Sequence, residues 1–416
     1  MQLQLGHVVH ALSDTIDLVD GRNGMHGKRV AYLACAVAER LGWSEPAVTA
    51  LCSAALLHDC GISSTREHER LVHEPDAPEA DRHCREGAAR IAAFPTLAPL
   101  APVIRAHHTP WARLADTGLD DGQRARANLI LLADRVDGLL ARHGGHPATA
   151  ARDWLPRQLA DWPGTLCAPG SVDALLACAA TDDFWRTLQP EELARYLRHR
   201  HQLPPHPLDL PAFHRVAVQF ARIVDAKSPF TRAHSAGVAR LAGYLAAQFG
   251  FDAGRRTRLE IAALLHDVGK LRVPDEIIDK PAPLTRMERA VMRRHSYDTM
   301  QILARIRGLG EIARWASAHH ETLEGGGYPF SPRARDLPLE ARILAVADAF
   351  QALSQARPYR PGLAVDALVE QLQLQAGKGR LDGEVVDLAA TRAAACYAAA
   401  VGEARTGVTA AAAAVS

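Results

Sequence analysis

Ten of the twenty histidines in this chain fall into two sets of matched spacing, and aspartates accompany each set in the same order. The first set is His26, His58, Asp59, His83, His107, His108 and Asp134; the second is His234, His266, Asp267, His295, His319, His320 and Asp348. The upstream His precedes the His-Asp step by 32 residues in both sets (26 to 58, 234 to 266). The downstream His precedes the His-His pair by 24 in both (83 to 107, 295 to 319). A lone histidine is ordinarily a satisfied core or surface residue; two spacing-matched sets are not explained that way. Imidazoles mixed with carboxylates suit a pair of divalent cations of the Mn, Fe or Zn type. Two such cations can activate water for cleavage of a phosphoryl ester.

In the second set, Asp267 has two carboxylate oxygens and is the natural bridge. One metal is then assigned to His234, His266, Asp267 and Asp348, and the other to Asp267, His295, His319 and His320. A bridging hydroxide, made acidic by two cations, is the expected nucleophile. Lys270, one turn past His266, is placed to touch a phosphate oxygen as charge builds. Arg357 and Arg360 offer forked donors suited to phosphate. Gly325, Gly326 and Gly327 permit close backbone approach, and Pro329 fixes the exit of a loop that carries Tyr328.

The elements that must position these residues read as helices. His26, Val30, Leu33, Val37 and Leu41 step at helical intervals, and His234, Val238, Leu241, Leu245 and Phe249 repeat the steps. Each stripe carries its histidine toward the core. Alternating strand patterns are scarce, so the expected fold is all-α with two homologous halves. Ala54-Ala55-Leu56-Leu57-His58-Asp59-Cys60-Gly61 returns as Ala262-Ala263-Leu264-Leu265-His266-Asp267-Val268-Gly269. The prolines of His201–Pro207 read as a linker, which sets expected domains at 1–203 and 208–405. Ser64–Asp81 reads as a loop or short helix, and the Ala-rich tail 406–416 is given no function.

Composition narrows the class. The 416 residues are 48% hydrophobic, ample for packed cores, and a net charge of +1 with no basic run gives no hint of a general nucleic-acid surface. Seven cysteines, an odd number, lie mostly in apolar stretches and read as buried thiols of a reducing cytosol. Cys60 and Cys84 lie beside candidate ligands, which leaves a ligand or redox role open. No basic region followed by an apolar one opens the chain, and no apolar run is long enough to span a membrane, so the expected location is cytoplasmic.

His266-Asp267-Val268-Gly269-Lys270 resembles the motif of the HD metal-dependent phosphohydrolases. The run His319-His320-Glu321-Thr322-Leu323-Glu324-Gly325-Gly326-Gly327-Tyr328-Pro329 is similar to the signature of the HD-GYP subfamily. Ile278-Asp279-Lys280-Pro281 with Leu284-Thr285, and Asp348 through Ser354 followed by Arg357-Pro358-Tyr359-Arg360, resemble that subfamily as well. The likeness covers about residues 212–395. It implies a bundle of helices, a di-iron or di-manganese site, and hydrolysis of cyclic di-GMP to linear pGpG and onward to GMP. It also implies Lys270, Tyr328, Arg357 and Arg360 as substrate-binding residues, with Asp267 and Lys270 catalytic. Members with a third metal carry a carboxylate where this chain has Phe230, so two metals are expected. Glu324 departs from the Asp or small residue common there.

The first half resembles a divergent HD domain. Ile62 takes the lysine position, and Thr109-Pro110-Trp111 follows the His-His pair in place of a Gly-Tyr-Pro loop. Two readings stand for it: a regulatory or structural centre that holds metal, and an independent phosphohydrolase. For the chain as a whole, two alternatives accompany cyclic di-GMP hydrolysis. One is a phosphohydrolase for another cyclic dinucleotide or nucleotide. The other is a non-catalytic module that binds cyclic di-GMP or a diguanylate cyclase or other signalling protein.

Overall fold

The structure, a computed structural model, describes residues 3–20, 24–74, 76–143, 148–203, 206–228, 233–355 and 362–402. Phe230, Arg357, Arg360, part of the proline cluster and the 406–416 tail lie outside the described residues. The described chain is almost wholly helical, with strand confined to Leu3–Gln4 and Pro207–Leu208. It divides into two compact units, one from Gln4 to Pro207 and the other from Leu208 onward together with Leu3. No described helix is long and apolar enough to cross a membrane.

Both units solve the same positioning problem with the same parts. In the first, the helix His26–Arg40 packs on Glu45–Leu57 and on Asp121–Arg142. In the second, His234–Gln248 packs on Ala253–Leu265 and on Leu339–Ser354. Each opens on its upstream histidine and buries Val30, Leu33 and Val37, or Val238, Leu241 and Leu245, as the periodicity predicts. An aspartate from the preceding helical segment holds each helix start. Asp17 Oδ1 accepts from the Gly27 N–H at 2.8 Å, and Asp225 Oδ2 from the Ser235 N–H at 3.2 Å. These satisfy backbone donors that a helix N-terminus leaves unpaired.

Side-chain caps fix the other helix starts that matter. Asp252 accepts from the Arg255 N–H, and Thr285 with Glu288 forms a reciprocal capping box at Arg286–Leu303. Asp120 with Gln123 does the same for Asp121–Arg142. The Ser64–Asp81 stretch holds a helix, Thr65–His73, capped by Ser64, and the start of another, Glu79–Ala92.

The glycine two residues past each His-Asp step has a packing reason. A Cβ at Gly269 would lie 2.0 Å from the His295 carbonyl oxygen, and one at Gly61 would lie 1.9 Å from that of His83. The two ligand-bearing segments can touch backbone to backbone only because the side chain is absent.

Candidate metal centres

The seven residues of the second set converge. His266 caps the end of Ala253–Leu265, so Asp267 falls just beyond the helix and turns inward. His295 comes from the middle of Arg286–Leu303, His319 and His320 from just past Gly310–Ser317, and Asp348 from Leu339–Ser354. Asp267 stands between two groups. Its Oδ2 lies 3.2 Å from His266 Nε2 and 3.8 Å from His234 Nε2, while its Oδ1 lies 3.4 Å from His295 Nε2 and 3.7 Å from His319 Nε2. Asp348 Oδ1 completes the first group at 3.1 Å from His234 Nε2. His320 joins the second, its ring 5.2 Å from that of His295.

The tautomers follow from hydrogen bonding. A carbonyl can only accept, so a ring nitrogen facing one carries the proton. His266, His295 and His319 each donate from Nδ1 to the carbonyl three residues back, Ala263 (2.6 Å), Met292 (2.7 Å) and Ala316 (2.6 Å). Their Nε2 lone pairs therefore face the cluster. His295 and His319 Nε2 atoms stand 3.2 Å apart. Burial pushes His295 down to about 3 and His319 well below the ordinary range, so neither supplies a proton between them. Burial likewise pushes His320 down to about 4. Burial opposes charge on His266, but the Asp267 carboxylate outweighs it and holds this imidazole up at about 9. Burial also opposes charge on Asp267 and Asp348; their imidazole neighbours outweigh it and hold both well below the usual carboxylate range.

The donor set fits divalent metals. His266 Nε2 and Asp267 Oδ1 are buried without a hydrogen-bond partner. Buried polar atoms of this kind are costly unless something satisfies them. Paired imidazole lone pairs at 3.2 Å need a cation for the same reason. Lys270 Nζ donates to Asp267 Oδ2 at 2.6 Å, so the lysine lies at the centre, held by the bridging candidate.

The Gly-Tyr-Pro loop closes one side. The Tyr328 ring packs 4.9 Å from that of His320 and 6.2 Å from that of His295, and the Arg293 guanidinium lies 4.5 Å from its centroid. Buried Glu321 accepts from the Phe330 and Ser331 N–H groups at 2.6 and 3.1 Å and so ties the loop to the His-His pair. A Cβ at Gly327 would fall 2.5 Å from Glu321 Cα. Glu324 stays outside the cluster, its N–H donating to Gly379 O at 3.0 Å.

The first set converges in the same way. Asp59 Oδ2 lies 3.3 Å from His58 Nε2 and 3.4 Å from His26 Nε2, and Oδ1 lies 3.4 Å from His83 Nε2. Asp134 Oδ1 is 3.3 Å from His26 Nε2, and its Oδ2 is 3.9 Å from His108 Nε2. His83 and His107 Nε2 atoms are again 3.2 Å apart. His58 and His107 donate from Nδ1 to Ala55 and Ile104 carbonyls, both at 2.7 Å. Cys84 Sγ sits 3.5 Å from His107 Nδ1, whereas Cys60 turns away and donates to Gly87 O at 3.4 Å. A cavity of about 30 Å³ opens on this centre, walled by Ile62, His68, Leu71, Val72 and Arg142 among others. One water needs roughly 10–15 Å³, so the space holds a few waters.

Sequence reasoning did not single out the groups behind the ligands. His234 Nδ1 donates to Gln351 Oε1 at 3.1 Å, and His26 Nδ1 donates to Asp137 Oδ2 at 2.8 Å. Both partners lie one turn past the helix aspartate, and that shared spacing was a readable signal. Arg293 and Glu321 were also missed; Glu321 stood next to the His-His pair.

HD-domain family models match residues 24–139 and 219–385. The chain is 32% identical over 395 residues to 3′3′-cGAMP-specific phosphodiesterase 1 of Vibrio cholerae serotype O1, covering 93% of this chain and 91% of that protein. It is 38% identical over 162 residues to a cyclic di-GMP phosphodiesterase response regulator of Xanthomonas campestris pv. campestris, covering 38% of this chain and 43% of that one. A crystal structure of a cyclic GMP-AMP specific phosphodiesterase of V. cholerae shares the fold, with a TM-score of 0.65 at 23% identity over 95% of this chain and 98% of that one. With an HD domain in each half and a relative aligned along nearly its whole length, the chain belongs to the HD-GYP family of HD-domain phosphodiesterases, and a second, divergent HD domain forms its N-terminal half.

Proposed function

We propose that the C-terminal centre hydrolyses cyclic di-GMP, opening one phosphodiester to give linear pGpG and cutting again to give GMP. The observation that carries this reading is Asp267, one carboxylate oxygen toward each group of histidines. His234, His266, Asp267 and Asp348 would hold one metal, and Asp267, His295, His319 and His320 the other, with iron or manganese as the ions. When bound, the metals supply Lewis-acid charge to the phosphate and acidify water.

The chain's own residues do the rest. Lys270 leaves Asp267 for a phosphate oxygen as negative charge builds there. Tyr328, pinned between His320 and Arg293, walls the substrate on the loop side. Arg357 and Arg360 take the phosphates. The oxygen of water joins phosphorus, the bond to the ribose 3′ oxygen breaks, and that oxygen takes up a proton. The N-terminal centre, with Ile62 at the lysine position and no Gly-Tyr-Pro loop after its His-His pair, serves regulation or stability. The domains run 1–203 and 208–405, and the enzyme works in the cytoplasm on a signalling nucleotide.

A second reading, 3′3′-cGAMP as substrate, is favoured by the V. cholerae relative that aligns with both halves. Steady-state kinetics of the manganese-loaded enzyme on cyclic di-GMP, 3′3′-cGAMP and cyclic di-AMP distinguish the two. A kcat/KM highest for cyclic di-GMP supports the first reading. One highest for 3′3′-cGAMP replaces it with the second, and cleavage of none removes both.

A further inference from the structure

The two centres match in their ligands and differ in what stands behind them. Behind His26 is a carboxylate: Nδ1 donates to Asp137 Oδ2 at 2.8 Å, and Arg29 grips Asp137 through two bonds of 2.6 and 2.9 Å. Behind His234 is a neutral amide, Gln351, at 3.1 Å. A carboxylate behind an imidazole orients it and makes it a stronger donor to a metal, and such partners are worth roughly 10–100-fold in metal affinity.

The second difference is at the bridging aspartate. Three residues past Asp267 is Lys270, its ammonium 2.6 Å from Oδ2. Three residues past Asp59 is Ile62, buried and apolar. An ammonium there competes for the carboxylate lone pairs and repels an incoming cation. Both differences act in the same direction.

We propose that the N-terminal centre is the tighter metal site, so that this enzyme fills it first and its catalytic centre last. Asp137 is the positioning residue that sets the difference, acting through His26. The catalytic centre is then the one that empties when free divalent metal falls, and activity follows metal supply while the N-terminal half stays loaded. The inference rests on the reading that both clusters hold divalent cations.

The test is a chelator titration of the full-length, manganese-loaded protein, with bound metal measured directly. The expected result is release in two steps, the weaker lost in His266→Ala and the tighter lost in His58→Ala. Asp137→Asn is expected to weaken the tighter step by about 10–100-fold and leave the weaker one in place. The paired variant Asp137→Asn/Arg29→Gln removes the buried Arg29 charge together with the carboxylate it grips and carries the same expectation if the single variant misfolds. A single release step, loss of the tighter step in His266→Ala, or an unmoved tighter step in both Asp137 variants overturns the proposal. Protein that binds no manganese at all overturns the metal-centre reading itself, and this inference with it.

Discussion

Lys270 donates to Asp267 across 2.6 Å, at the carboxylate that also faces four imidazoles. The lysine thus rests on the residue proposed to join two metals, and under that proposal cations at the carboxylate would release it toward a phosphate.

Asp267→Ala is expected to remove hydrolysis and to lower bound metal in the C-terminal half, while circular dichroism stays that of a folded helical protein. Its two carboxylate oxygens face one histidine group each. Full turnover, or unchanged metal stoichiometry, in this variant would sink the two-metal assignment.

Lys270→Ala separates charge stabilisation from metal binding. Loss of one positioned donor to developing charge costs roughly 10²–10³ in kcat, whereas metal content is expected to stay at or above the wild-type level because a competing ammonium is gone. Wild-type kcat in a fully loaded variant would assign Lys270 to structure alone.

Gly327→Ala is expected to displace the Gly-Tyr-Pro loop. The new Cβ would lie 2.5 Å from Glu321 Cα and 2.6 Å from His320 O, and both are backbone that cannot swing aside. Overpacking of this sort costs about 1–3 kcal/mol. The variant should melt earlier and lose turnover together; a Tm and kcat equal to wild type would show that the loop is not held as described.

His201 gives a pH dependence remote from either centre. It is buried, with Nε2 2.7 Å from Ser53 Oγ and Nδ1 3.2 Å from His10 Nε2. Burial, then the His10 charge, push it down to about 3. The unfolded chain takes this proton near pH 6.5, and the native state refuses it until about 3. The contribution is therefore complete above about pH 6.5 and falls as the solution turns acid, by up to about 1.4 kcal/mol per pH unit. Urea unfolding of wild type and His201→Gln at about pH 5 to about pH 7 should show the shallower slope in the variant. Equal slopes would mean that His201 titrates normally.

Much of this architecture was legible because the chain states it twice. The His26 and His234 stripes share one helical rhythm, and repetition turned scattered histidines into an ordered set. The central place of Asp267 among the imidazoles was legible, since a carboxylate at a helix end beside a histidine has two oxygens to offer. Asp137 and Gln351 went unread although their shared spacing from Asp134 and Asp348 was a signal, because a polar residue one turn along a helix usually faces water, and only packing turns these two inward. Lys270 was assigned to phosphate by position, and its present partner, Asp267, emerged only from the side-chain geometry. The Ser64–Asp81 stretch left loop and helix both open; Ser64 supplies the cap that settles Thr65–His73 as helix.

Five of the ten clustered histidines give their Nδ1 proton to a main-chain carbonyl three residues earlier: His58, His107, His266, His295 and His319. The acceptors belong to Ala55, Ile104, Ala263, Met292 and Ala316, but it is their peptide oxygens that are used. Side-chain identity at these five positions is therefore irrelevant to ring orientation, and they can drift by mutation as long as the helix keeps its course. A lineage can rewrite the neighbourhood of each ligand without losing the ligand, and what it must conserve is the path of the chain.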